Sequence, residues 1–188
     1  QKGIQRRRER AARLENGDRL NYPIAEKLFI MMSAQRKYQY VFGPVSSRRF
    51  GRSLGVDIVP FKTCTYDCIF CQLGRTTNRT VQRDAYVPSG LVLEEVSQKL
   101  REGARPDHIT FSGSGEPTLN ENLGFLIREV KKLSDVPVVV LTNGSLLCKA
   151  EVRENMKAAD IVKPSLSAGD EVMFQRINRP HPGIVFQK

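Results

Sequence analysis

Three of the four cysteines crowd one short run, Thr63-Cys64-Thr65-Tyr66-Asp67-Cys68-Ile69-Phe70-Cys71. Thiolates are the soft ligands that select zinc and iron–sulfur clusters. Such clusters normally take four cysteine thiolates. A trio at spacings of four and three can therefore hold three corners of a cubane and leave its fourth iron for another ligand. Zinc in a structural site wants four closed ligands. The remaining cysteine, Cys148, is far along the chain, and His108 and His181 fall into no C-x2-C or H-x3-H partner pattern. A disulfide framework fits worse still, because four cysteines are sparse for a secreted scaffold and three of them share one loop. On spacing alone, cluster, zinc and redox thiols all stay open.

The elements that must position these thiols alternate strand and helix from about residue 54, an order that predicts a parallel sheet. Leu54 to Pro60 reads as a first strand, and the cysteine loop follows it directly. Pro88-Ser89-Gly90 opens a helix with Leu93, Val96 and Leu100 on its apolar stripe. Residues 108–111 form the second strand, followed by a helix carrying Leu123, Leu126, Val130 and Leu133. Residues 137–141 form the third, a continuous run of the kind buried on both faces. A helix with Cys148, Val152 and Met156 at i, i+4 and i+8 follows, which places Cys148 in the core. Residues 160–166 form the fourth strand, followed by a helix through Met173, Phe174 and Ile177. Four β/α units at about 30 residues each match the pitch of α/β barrels.

Ligands in such folds bind at the C-terminal ends of the strands. Four polar or glycine-rich segments fall there: the cysteine loop, Ser112 to Leu119, Thr142-Asn143-Gly144, and Ser165-Leu166-Ser167. Gly113-Ser114-Gly115-Glu116-Pro117 is not a phosphate loop, since neither the Walker Lys-Ser/Thr nor the G-x-G-x-x-G spacing is present. Read alone it is a flexible turn, as Asn143-Gly144 is an ordinary one.

The formal charge of +10 is concentrated at the front of the chain. Residues 1–52 hold 13 Lys and Arg against 4 Asp and Glu, whereas residues 53–188 hold 17 against 16. The run Arg6-Arg7-Arg8-Glu9-Arg10 is either a solvated tail or an RNA-contacting arm. Residues 1–32 read as a basic, poorly ordered extension ahead of a core over 41–188, and Met31-Met32 offers an internal start. No apolar run is long enough to span a membrane and no secretory signal is visible, so the cytoplasm is the expected compartment.

Taken together, Cys64, Cys68 and Cys71 in C-x3-C-x-aromatic-C spacing, the Gly-Ser-Gly-Glu-Pro stretch and Thr142-Asn143-Gly144 resemble the radical S-adenosylmethionine (SAM) enzymes. The resemblance runs from about Val41 to Pro182. It implies an α/β fold, a partial (β/α) barrel commonly of six units, of which about four are present; fragment and naturally short form both remain open. It implies a [4Fe-4S] cluster on Cys64, Cys68 and Cys71, whose open iron chelates the methionine amino and carboxylate groups of SAM. Ser114 (in place of the first glycine of a Gly-Gly-Glu-Pro motif), Gly115 and Glu116 would receive the amino group. Thr142 and Asn143 would lie near the methionyl and ribose groups. Ser165 and Ser167 would offer hydroxyls to the ribose, Lys163 would meet a carboxylate, and Phe70 would pack near the adenine.

The implied reaction is one-electron reduction of the SAM sulfonium, giving methionine and a 5′-deoxyadenosyl radical that abstracts hydrogen from a substrate. Residues Phe42 to Asp57 resemble the lead-in of the wyosine-synthase-like Fe–S oxidoreductases, whose relatives modify a guanosine in tRNA. That implies an oxidoreductase acting on a tRNA nucleoside and reduced by flavodoxin or ferredoxin. Arg48, Arg49 and Arg52 would then contact phosphates or solvate the barrel's entrance. Two other readings stand beside it. One is a non-catalytic zinc or Fe–S domain that binds nucleic acid through the basic arm; the other is a truncated barrel that binds cluster and SAM without turnover.

Overall fold

The computed structural model describes residues 37–186. The expected basic extension over 1–32 lies outside the described residues. Among the described residues seven strands and four α-helices follow in the order β1 (Val41–Ser47), β2 (Gly51–Val56), β3 (Thr63–Cys64), β4 (Asn78–Arg79), α1 (Ser89–Arg101), β5 (His108–Phe111), a 3-10 turn (Pro117–Leu119), α2 (Leu123–Leu133), β6 (Val138–Thr142), α3 (Ala150–Met156), β7 (Ile161–Pro164) and α4 (Glu171–Asn178).

Five strands form one sheet in the order β1-β2-β5-β6-β7, and β3 pairs with β4 in a separate two-stranded ribbon. From β2 to β7 every pairing is parallel. Spatial order follows chain order across these four strands, as in a barrel, without the reversal that marks a doubly wound sheet. This is a mixed α/β architecture consistent with a partial radical SAM β/α fold.

Burial follows the predicted pattern at the centre. Val138, Val139 and Val140 are all fully buried, as are Ile109 and Phe111 on the neighbouring strand. Val92 and Val96 of α1, Leu123, Leu126, Ile127 and Val130 of α2, and Val152 and Met156 of α3 complete the core. All four residues of β7 are exposed, which makes it the outer strand of the sheet opposite β1.

Several expectations need correction. The first parallel strand ends at Val56 rather than Pro60; the Asp57 amide still bonds Tyr40 O at 2.8 Å, one step beyond the β1–β2 register, and the parallel pairing with β5 stops at Val56. Ile58 and Val59 are buried all the same. The segment before it, read only as a lead-in, is an antiparallel strand, β1, whose register with β2 shifts between Phe42 and Val45. Cys148 is exposed rather than in the core. Its helix begins only at Ala150, after the turn in which the Lys149 amide bonds Leu146 O, so the i, i+4 stripe does not extend back to it. Leu146, two residues earlier, is fully buried in the core. Leu133 and Met173 are also exposed at the ends of their stripes. Arg48 and Arg49 belong to the β1–β2 turn and Arg52 to the N-terminal end of β2, so they stand away from the strand ends where the cysteine loop emerges. There the Arg52 backbone amide donates to Asp107 Oδ2 at 2.6 Å and its guanidinium to Arg105 O.

Candidate functional site

The cysteine loop is built by contacts at both of its ends. Thr63 and Cys64 pair in parallel with Asn78 and Arg79, which closes the loop on itself. Inside it the Cys71 amide bonds Cys68 O at 3.1 Å and the Gly74 amide bonds Cys71 O at 3.0 Å, two turns that bring Cys68 and Cys71 round. Asp67 is buried, and its Oδ1 accepts the Thr76 amide at 2.8 Å while Arg75 and Arg179 each stand 3.8 Å from Oδ2.

The far side of the loop is clamped by the end of α4. The amides of Asp67 and Ile69 donate to Asn178 O and Ile177 O at 3.0 and 2.9 Å, and the His181 amide donates to Thr65 O at 2.8 Å. The Tyr66 and Phe174 rings meet edge to face at 5.4 Å between centroids.

The segment after β5 presses against this loop without side chains between. A Cβ on Gly115 would lie 1.7 Å from the carbonyl oxygen of Thr63, so only glycine allows the approach. Two backbone bonds hold the contact, Lys62 N to Ser114 O at 2.8 Å and Glu116 N to Thr63 O at 3.2 Å. Ser114 is itself buried, and its amide donates to Asp57 Oδ2 at 3.0 Å.

Glu116 then ties the second strand end to the third. It is fully buried; Oε1 accepts the hydroxyls of Thr118 and Thr142 at 2.6 Å each and the Thr118 amide at 3.1 Å, while Oε2 accepts the Asn143 amide at 2.6 Å. Burial pushes its carboxyl pKa up, and the donors from Thr118, Thr142 and Asn143 pull it back. Every partner is a donor, which matches an acceptor-only carboxylate. Asn143 passes the connection on: its Nδ2 donates to Thr65 Oγ1 at 2.7 Å and to Cys64 Sγ at 3.5 Å.

The other two thiols also have N–H partners. Lys62 Nζ donates to Cys71 Sγ at 3.4 Å, and Asn178 Nδ2 to Cys68 Sγ at 3.4 Å. All three cysteines are free and half-buried. Burial pushes the Cys64 thiol up to about 11 and raises Cys68 as well, with the Asn178 donor opposing the rise at Cys68. Ligation would have to displace those protons, since the thiolate is the ligand. Among the described residues no group of three or more His, Cys, Asp and Glu side chains stands close enough together to hold a metal ion. A cubane distributes its thiolates over separate irons. The donor chemistry, three thiols each capped by an N–H group and none blocked by a carboxylate or disulfide, fits such a cluster.

The expected site residues separate into two groups. Cys64, Cys68, Cys71, Ser114, Gly115, Glu116, Thr142 and Asn143 form one connected network. Phe70 lies on the same loop but is 58% exposed. Ser165 is exposed just past β7, where its amide donates to Thr142 O at 3.0 Å, and Ser167 is half-buried two residues on. Lys163 is exposed on β7. Sequence reasoning missed Lys62, Thr65, Asp67 and Asn178. Lys62 and Thr65 flank Cys64 and could have been questioned for that; Asn178 carries no local signal, being far from the loop in sequence.

A β/α sheet parallel from β2 to β7, with a three-thiol loop after its first parallel strand and a glycine-rich segment after the second, is the class of architecture expected from the sequence. The sequence model of the Radical SAM superfamily matches residues 58–185, and the chain belongs to that superfamily. It is similar to a protein named GTPase Obg from Brachyspira hyodysenteriae, 46% identical over 152 residues covering 81% of this chain and 22% of that protein. A UPF0026 protein of Synechocystis is 42% identical over 149 residues, covering 79% of this chain and 56% of that one. An S-adenosylmethionine-dependent nucleotide dehydratase of Lacinutrix mariniflava is 33% identical over 127 residues, covering 65% of this chain and 25% of the relative. The chain thus spans between about a fifth and just over half of these relatives' length.

Proposed function

We propose that this chain is the cluster-bearing part of a radical SAM enzyme that acts on a nucleoside, one carried in tRNA. The observation that carries the reading is the loop of Cys64, Cys68 and Cys71 with a separate N–H donor on each sulfur. When bound, the cluster and SAM supply one-electron cleavage of a sulfonium and hydrogen abstraction from the substrate. The chain's own residues do the rest. The three thiols, once deprotonated, hold the cluster, and the α4 clamp fixes the loop that carries them. Gly115 lets the second strand end approach closely, so that the backbone of Ser114 and Gly115 stands beside the loop. Glu116 fixes Thr142 and Asn143 for the methionyl and ribose side of SAM, leaving Ser165 and Ser167 as hydroxyl donors at the fourth strand end.

The nucleoside substrate is supported by the name of the Lacinutrix relative, by the likeness of residues 42–57 to the wyosine-synthase-like oxidoreductases, and by the basic front of the chain. GTP hydrolysis is no part of the proposal: the match to the Obg protein covers 22% of it, and these 188 residues hold no Gly-x4-Gly-Lys-Ser/Thr loop. A one-electron carrier such as flavodoxin or ferredoxin suits the outer face of the loop. Exposed Ile69 and Phe70 lie on the chain segment that also carries Arg75 and Arg79, and Arg179 adjoins it through Asp67 and Arg79, a cationic rim for an acidic partner. Among the described residues no helix is long and apolar enough to cross a membrane.

Anaerobic reconstitution with iron and sulfide tests the reading. A brown protein that releases 5′-deoxyadenosine under dithionite, faster with bulk tRNA, is the expected result. A colourless protein that retains zinc would favour the non-catalytic metal domain, and cleavage that survives Cys68→Ala would overturn the site.

A further inference from the structure

Lys62 is an unusual residue for its place. It is 3% exposed, its backbone sits at φ +60°, and its ammonium points into the cysteine loop. Non-glycine residues rarely hold a positive φ, and such strain persists where the surroundings over-determine it. A buried charge needs a paired counter-charge, yet among the described residues Lys62 makes no ion pair; its contacts are Gly74 O and Cys71 Sγ. The carbonyl is neutral. The anion that would complete the environment is the ligated thiolate of Cys71.

The two asparagine donors are independently fixed. Asn143 Oδ1 accepts the Ser145 amide at 2.9 Å, which turns its NH2 group toward Cys64 and Thr65. Asn178 is buried at the end of α4, where its own carbonyl holds the Asp67 amide while its side chain reaches Cys68. Three segments remote from one another, the loop entrance, the end of β6 and the end of α4, each deliver one N–H to one sulfur.

We propose that Lys62, Asn143 and Asn178 form a donor shell that sets the reduction potential of a cluster held by Cys64, Cys68 and Cys71, with the Lys62 charge its strongest member. Hydrogen bonds to cluster sulfur, net charge and burial are the protein's means of tuning such a potential. Reduction adds negative charge, so N–H donors and a buried cation favour the reduced state and raise the potential. Lys62 is here a positioning and tuning residue that acts through Cys71.

This inference rests on the cluster reading, and the experiment separates the two. Parent protein, Lys62→Met and Lys62→Arg are reconstituted anaerobically, cluster content is measured by absorbance and iron assay, and reduction is followed by an EPR-monitored redox titration. Lys62→Met keeps the chain length without the charge and should make the cluster about tenfold harder to reduce, a shift of ~59 mV to more negative potential for one electron. Lys62→Arg should restore the parent potential. A colourless parent overturns the cluster reading and this inference with it. A loaded Met variant with the parent's potential overturns the donor shell alone. If the Met variant takes up no cluster, the Arg variant decides: restored uptake supports a required cation at this position, and failure of both shows a packing role and refutes the proposal.

Discussion

Replacing Gly115 with alanine tests whether close backbone contact between the second strand end and the cysteine loop holds the site together. The added Cβ would meet Thr63 O at 1.7 Å. That oxygen is backbone, one residue before Cys64, and cannot rotate away, so the two segments must part by more than an ångström. Two hydrogen bonds cross this contact, Lys62 N to Ser114 O and Glu116 N to Thr63 O. Overpacking of this kind costs about 1–3 kcal/mol. Losing two partly buried hydrogen bonds adds roughly 1 kcal/mol each. The total, about 3–5 kcal/mol, is comparable with the whole stability of a small domain at the lower end. Gly90 is the control, at the start of α1 with open space round its missing side chain. Alanine there should stabilise by about 0.5–1 kcal/mol, because a helix favours it over glycine. Urea denaturation of the two apoproteins, read beside cluster uptake on reconstitution, gives both numbers. A Gly115→Ala protein within 1 kcal/mol of the parent that fills with cluster normally would show that the contact is incidental.

Further outcomes follow from the same geometry. Asp67→Ala removes the buried acceptor of the Thr76 amide, and should cost about 1–3 kcal/mol and lower cluster uptake; unchanged denaturation and uptake would contradict the role given to Asp67 in shaping the loop. Cys148→Ser at the exposed turn should leave stability within about 0.5 kcal/mol and cluster content unchanged, and any loss of iron would reopen Cys148 as a ligand. The thiol of Cys64, raised by burial from 9.0 to about 11, favours the folded apoprotein below pH 9; that contribution is lost as pH climbs through 11. The loss amounts to about 3 kcal/mol at 1.36 kcal/mol per unit, and denaturation midpoints of the parent against Cys64→Ser between pH 8 and pH 12 should converge if the thiol is its source.

The parallel order of the sheet and the convergence of its loops were legible because they are local. Val138-Val139-Val140 announces a strand buried on both faces, and three cysteines in one run single out a loop with candidate chemistry without any knowledge of the fold. The antiparallel β1 was not legible, since Pro44 and exposed Ser46 interrupt the alternation that marks a strand and its pairing with β2 shifts register midway. Cys148 misled because a helical period fits any apolar residue at the right spacing, and the turn that starts the helix two residues later leaves no compositional trace. The network behind the thiols was half legible. Glu116, Thr142 and Asn143 are marked by their motifs, but Asn178 meets Cys68 across 110 positions of sequence, and no window reads that distance.

The seat of Cys68 is assembled from opposite ends of the domain. A ribosome delivers the thiols early, yet the carbonyls of Ile177 and Asn178 that pin their loop are made only after every strand of the sheet has been synthesised. Closing so long a span is entropically costly and slow compared with local pairing. Insertion of the proposed cluster therefore belongs after translation of the domain, and a nascent chain stalled before residue 177 would carry its sulfurs without the contacts that pin their loop.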